Sequence, residues 1–156
     1  MMNSPALRSL LCPTAIELGA TVSSPEEAIQ MAGNLLVASG GATDAYVEHI
    51  LQAFKELGPY MVIAPGLAMP HARPDGSVLK PCVGLLTLRA PVAFGHPSND
   101  PVSVIMALGG TTDESHLALL GDLARFLGVE GIVERLSRVG TYADVTALIN
   151  ESEGME

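Results

Sequence analysis

Two runs constrain this chain more than anything else in it: CVGLLTL at 82–88 and VSVIMAL at 102–108. A strand with one wet face alternates apolar and polar residues; a strand that is apolar at successive positions buries both faces. Each run is therefore expected to be a strand covered on both sides, the second ended by Gly109-Gly110. A sheet of such strands needs helices on both faces, and the remaining sequence supplies them.

Ser24 is the expected N-cap of the first long helix, with Pro25 at its first position and Glu27 completing a capping box. Ala28, Met31, Ala32 and Leu35 recur at helical spacing, and Gly40-Gly41 stops them. Thr43 is expected to cap a second helix, 44 to about 56, with Val47, Ile50, Leu51 and Phe54 as its inner stripe and Gly58-Pro59 as its end. A third, 111–127, opens on Thr111 and Glu114 as a capping box, with Asp113 as rival cap; its expected stripe is Leu117, Leu120, Ala124 and Leu127. Short helices are expected at 130–138 and, capped by Thr141, at 142–150, with 151–156 frayed. Residues 14–18 read as a short edge strand, and 60–64 as a further strand. Residues 1–10 read as a flexible leader or a short first turn, so the expected domain is 11–156, a single α/β unit.

Composition excludes several classes of function. Aromatic residues make up 4% of the chain and Trp is absent, so base-stacking platforms for nucleic acid are not expected. A net charge of −9 opposes binding to nucleic acid and to anionic lipid. Cys12 and Cys82 form no CxxC pair, which suits a reducing compartment. No apolar run approaches the ~20 residues of a membrane helix, and the apolar centre of the N-terminus is too short for a secretory signal. The expected location is the cytoplasm.

Chemistry concentrates in VIAPGLAMPHAR at 62–73. An apolar strand breaks at Pro65-Gly66, resumes as Leu67-Ala68-Met69, and ends in Pro70-His71. Loops at strand ends are where functional groups are mounted, and an imidazole that is neutral near pH 7 offers a nucleophilic nitrogen. His116 lies in the first turns of the 111–127 helix, four residues before Leu120, and so faces the sheet. Free N–H groups and the positive dipole end there suit an anion such as phosphate. Taken singly, each histidine is as well read as a hydrogen-bonded turn or core residue; the pair fits phosphate handling better. His49, beside Glu48 and off the inner stripe, reads as surface. His96, in FGHPSNDP, either lines the same cleft with Asn99 or is a loop residue without chemistry. His71, His96 and His116, with Cys82, Asp100 and Asp113, carry metal-ligating atoms, but none stand at a recognised ligand spacing. GxSxG, Walker and GxGxxG motifs are absent.

Pro70-His71 after an apolar segment, Glu114-Ser115-His116-Leu117 at a helix start, and the wording PHARP and FGHPSNDPV resemble the enzyme IIA domains of the phosphoenolpyruvate-dependent sugar phosphotransferase system. The resemblance is to the mannitol/fructose-type superfamily, most to its ascorbate-type branch, and runs from SPEEA at 24–28 to the last helix. It implies a mixed sheet flanked by helices, and a phosphohistidine carrier that needs no metal or other cofactor. His71 would accept the phosphoryl group from the carrier HPr, on its tele nitrogen, and His116 would stabilise it. A cysteine of enzyme IIB would receive it, and membrane enzyme IIC would import the sugar. Mannitol-type members place an arginine where this chain has Lys55, which keeps the charge without the bidentate fork; Arg73 is the other candidate cation. Ala72 and Ser115 are candidate phosphate-binding residues, and Met61, Leu67, Met69 and Phe94 either form an apolar rim for the two partners or belong to the core. Two alternatives stand beside transport: a nitrogen-type regulatory member acting by binding other proteins, and a metal-dependent hydrolase using His71, His96 and His116. Which sugar is carried is not legible, and a homodimer is left open.

Overall fold

The computed structural model describes residues 7–154. Among them, six α-helices cover a five-stranded mixed sheet: α1 (Leu7–Leu10), β1 (Ile16–Ala20), α2 (Pro25–Ala38), α3 (Asp44–Leu57), β2 (Val62–Ala64), β3 (Leu67–Ala68), β4 (Cys82–Val92), β5 (Val102–Gly109), α4 (Asp113–Leu127), α5 (Ile132–Leu136) and α6 (Tyr142–Gly154). The strand order is β1-β4-β5-β3-β2. β4 and β5, the two apolar runs, lie side by side and antiparallel at the centre, where both faces are covered. β1 runs parallel to β4, β3 parallel to β5, and β2 closes the far edge as a hairpin with β3.

The two faces bury separate cores. Ile29, Leu36, Tyr46 and Ile50 of α2 and α3 pack on Leu86, Ile105 and Ala107. Leu123, Leu136 and Ile149 of α4, α5 and α6 pack with Leu7 and Leu11 on Val83, Leu85 and Met106. The alternation within each central strand, Ile105 and Ala107 one way and Met106 and Leu108 the other, is what makes the run apolar throughout.

Local signals erred by a residue or two. Ser24 caps α2 by accepting from Glu27 N at 3.1 Å, but Glu27 reaches back to Ser23 N rather than to the cap itself. Thr43 precedes α3 without a side-chain cap, because its hydroxyl donates to the distant Ser77 carbonyl at 2.8 Å. α4 is capped by Thr112 with Ser115 as reciprocal partner, one residue later than Thr111 and Glu114, and Asp113 is its first residue rather than its cap. Its inner stripe shifts accordingly to Leu119, Leu123, Phe126 and Leu127, leaving Leu117 and Ala124 exposed. β4 runs on to Val92, into the region expected as loop. The leader boundary moves too: Leu7–Leu10 is helical, with Leu7 in the core, and residues 1–6 lie outside the described residues. α6 extends to Gly154, past the expected fraying point, and Arg135 pairs with Glu151 at 2.8 Å.

Candidate functional site

The β2–β3 hairpin aims His71 at the C-terminal end of β5. Gly66 turns the hairpin with φ +78°, a conformation that favours glycine. Its carbonyl accepts from Ser103 and Val104, which seats the turn on the start of β5. Pairing continues beyond β3 through Met69 N to Met61 O at 2.8 Å and Leu108 N to Pro70 O at 3.1 Å. Proline has no N–H to extend a ladder, and the chain leaves the sheet at His71.

The His71 ring is held in one tautomer. Its Nδ1 lies 2.7 Å from the Met69 carbonyl oxygen. A carbonyl only accepts, so Nδ1 carries the proton and the lone pair is on Nε2. The Tyr60 hydroxyl donates to the His71 carbonyl at 2.6 Å, and the Tyr60 ring meets the imidazole edge-on at 5.7 Å between centroids. His71 is half-buried.

His116 stands opposite, its ring centroid 5.4 Å from that of His71 and tilted by 45°. Although the stripe of α4 is out of phase with expectation, His116 is still three residues before Leu119 and seven before Leu123, so it faces inward. Gly110 lets the helix start this close to β5: a Cβ there would lie 2.6 Å from His116 Cα. The His116 Nδ1 is buried and has no hydrogen-bond partner within the protein, which is uncommon for a buried polar atom and occurs at functional sites. Burial, and then the neighbouring His71, push its pKa below the usual histidine value, against the opposing pull of Asp113. The neutral ring is thereby favoured.

The other candidates separate. Ala72 has no N–H to offer, because it donates to the Tyr46 hydroxyl at 3.0 Å. The Ser115 hydroxyl is used by the cap, accepting from Thr111 N and Thr112 N, and its N–H goes to Thr112 Oγ1. Lys55 and Arg73 are both exposed and form no ion pair among the described residues. His96 turns into its own loop, its Nδ1 accepting from Ser98 N and Asn99 N. Asn99 ties that loop to the hairpin, through its carbonyl to Gly66 N and its amide to the Val62 carbonyl. The three-histidine metal site is therefore not assembled, and no group of three His, Cys, Asp or Glu converges among the described residues. His49 is on the surface, as expected, and pairs with Asp75 at 2.7 Å. Met61, Leu67, Met69 and Phe94 are all core, not rim. The exposed apolar residues next to the histidines are instead Tyr60 and Leu117.

Two residues that hold the site escaped the sequence reading, and a third was read for another role. Tyr46 and Tyr60 hold the peptide that joins His71 to Ala72, by its N–H and its carbonyl respectively, and Asp100, read above only for metal-ligating atoms, accepts from the N–H groups of Phe94, Gly95 and His96. Tyr46 had a usable signal: it lies four residues before Ile50, on the inner stripe, and a buried tyrosine hydroxyl needs a partner.

The fold is an α/β domain, a mixed sheet with helices on both faces, and it brings two imidazoles together where its strands end. The chain belongs to the family "Phosphoenolpyruvate-dependent sugar phosphotransferase system, EIIA 2", whose model matches residues 9–152. It is 34% identical over 145 residues to the ascorbate-specific PTS system EIIA component of Salmonella typhimurium, covering 92% of this chain and 94% of that protein. A putative PTS IIA domain from Streptococcus pyogenes superposes with a TM-score of 0.85 at 30% identity, over 98% of this chain and 99% of the other. Enzyme IIAMTL in its complex with phosphorylated enzyme IIBMTL, from Escherichia coli, superposes with a TM-score of 0.80 at 26% identity, over 90% and 97%. EIIA components are phosphotransferases that carry phosphoryl groups between proteins of the system, and this chain is a sugar-transport component of that family. No described helix is long and apolar enough to cross a membrane.

Proposed function

We propose that the chain accepts a phosphoryl group from phospho-HPr on Nε2 of His71 and passes it to a cysteine of its cognate enzyme IIB. The observation that carries this is the Nδ1–H bond from His71 to the Met69 carbonyl, which leaves the lone pair on Nε2, in a ring whose centroid is 5.4 Å from that of His116. In the first step the Nε2 lone pair attacks phosphorus and the donor's P–N bond breaks as the new one forms. In the second, the enzyme IIB thiolate attacks the same phosphorus and His71 Nε2 leaves with its lone pair restored. The Met69 carbonyl holds the proton of Nδ1 in both, so charge on the ring is stabilised without a proton leaving the protein. Phosphoryl transfer needs positioning and charge stabilisation more than covalent machinery, and His116 supplies a polar ring beside the transferred group. Lys55 or Arg73 adds a cation, the latter with the bidentate fork that suits phosphate.

Tyr60 and Leu117, exposed on either side of the histidines, fit the rim on which HPr and enzyme IIB dock in turn. The ascorbate-specific relatives support uptake of an ascorbate-like or polyol/fructose-type sugar through membrane enzyme IIC, from the cytoplasmic side, over the regulatory alternative. With labelled phosphoenolpyruvate, enzyme I and HPr, the expected result is one acid-labile phosphoryl group on the wild type and none on His71→Ala. Label that survives His71→Ala refutes the assignment.

A further inference from the structure

One oxygen joins the two segments that carry the histidines. The Tyr46 hydroxyl, on the inner face of α3, accepts the Ala72 N–H at 3.0 Å and donates to the Leu108 carbonyl at 2.7 Å; the Ala72 carbonyl lies 3.2 Å away. Ala72 follows His71 directly. Leu108 is at the end of β5, two residues before Gly110, on which the first turn of α4 and His116 are seated. The Tyr46 side chain is fully buried, and its ring packs where a Cβ on Gly109 would meet it at 3.1 Å. Burial pushes its phenol pKa well up, so the group stays a donor across the working range of pH.

Packing alone does not account for this arrangement. A phenylalanine would fill the same core, yet it would leave the Ala72 N–H and the Leu108 carbonyl without their partner inside the protein. Other hydrogen bonds restrain the same segment through other groups: Leu108 N holds Pro70 on the sheet, and the exposed Tyr60 hydroxyl holds the His71 carbonyl, the other end of the peptide whose N–H Tyr46 accepts. Among the described residues, Tyr46 is the side chain that hydrogen-bonds both to the loop after His71 and to the strand end before His116.

We propose that Tyr46 is a positioning residue for phosphoryl transfer, its hydroxyl clamping the His71 loop to the strand end that seats His116. This rests on the carrier reading given above. The clamp fixes the distance between the two imidazoles, and hence the alignment of the phosphoryl group between Nε2 and its incoming or leaving partner. It does so without touching either HPr or enzyme IIB.

The test is Tyr46→Phe in the full chain, with phospho-HPr as donor. The expected result is a maximal phosphorylation rate lowered by about 10- to 100-fold, the range in which a displacement near 1 Å registers, with the KM for phospho-HPr within about 2-fold of wild type. The Ala72 amide resonance in 15N-labelled protein should shift and exchange faster. Leu148→Ala, in the opposite core layer, is the stability control, expected to lower the melting temperature and keep the wild-type rate. A folded Tyr46→Phe protein with wild-type rate overturns the positioning role alone, provided that the wild type is labelled and His71→Ala is not. An unlabelled wild type overturns the carrier reading, and the positioning role with it. Should Tyr46→Phe not fold, the wild-type Ala72 amide still decides: protection from exchange supports the clamp, and exchange at the rate of an open loop amide refutes it.

Discussion

A single methyl group at Gly110 should move the two histidines apart. An alanine Cβ there would stand 2.6 Å from His116 Cα, 2.8 Å from its Cβ and 2.8 Å from its backbone nitrogen. Carbon atoms in contact settle at about 3.5–4.0 Å, so the first turn of α4 must retreat by about 1 Å. All three atoms belong to the backbone or its first side-chain atom, so no rotamer change relieves the clash. Gly110 is not at positive φ, so alanine carries no backbone penalty and the contact is the whole cost. Overpacking of this kind costs about 1–3 kcal/mol, and the less flexible unfolded chain returns roughly 0.4–1 kcal/mol. A net loss of about 1–2 kcal/mol lowers the melting temperature by roughly 2–8 °C. The larger effect should be on function, where a misplacement near 1 Å costs on the order of 100-fold. The assay is a thermal melt beside single-turnover transfer from the phosphorylated chain to enzyme IIB. Gly121→Ala, in the middle of the same helix with open space around its Cβ, is the control, expected to raise stability by up to about 1 kcal/mol at unchanged rate. Wild-type melting and wild-type transfer in Gly110→Ala would refute the idea that α4 is seated by this contact.

His116→Ala is expected to be phosphorylated by phospho-HPr but to pass the group to enzyme IIB slowly; a wild-type transfer rate removes His116 from the site. Stability should fall as pH drops below the ordinary histidine value near 6.5, because the folded pKa of His116 lies below it and the unfolded chain takes up the proton first. His116→Gln should lose less over the same window in urea titrations at pH 7.5 and 5.5, and equal losses in the two proteins refute that origin. Asp100→Ala removes the shared acceptor of three backbone N–H groups and should cost about 2–3 kcal/mol in urea unfolding. Asp100→Asn, which keeps one carbonyl oxygen, should cost less.

Most of the element order was legible because its signals are local. Ser24-Pro25 marks a helix start, Gly58 an end, and the two apolar runs a sheet buried on both faces. Errors arose where a side chain left its local role for a distant one. Thr43 reads as a helix cap until Ser77, 34 residues on, takes its hydroxyl. Ala72 reads as a free phosphate donor until Tyr46, 26 residues before it, accepts its N–H. Of the methionines near His71, Met61 reads better as core and Met69 as rim or core, since flexibility suits both; the layers of the fold assigned both to the core.

His71 and His116 themselves were determined by the sequence, through the proline that ends a strand and the helical spacing that turns a histidine inward. Their chemistry was decided by tertiary structure. The Met69 carbonyl chooses which nitrogen of His71 is free, the strand order β1-β4-β5-β3-β2 brings the hairpin beside β5, and Gly110 sets how near His116 comes. Periodicity and capping are written in residues three or four apart. The partner of the Tyr46 hydroxyl is 62 residues away, at Leu108, and no local pattern encodes a distance that only packing creates.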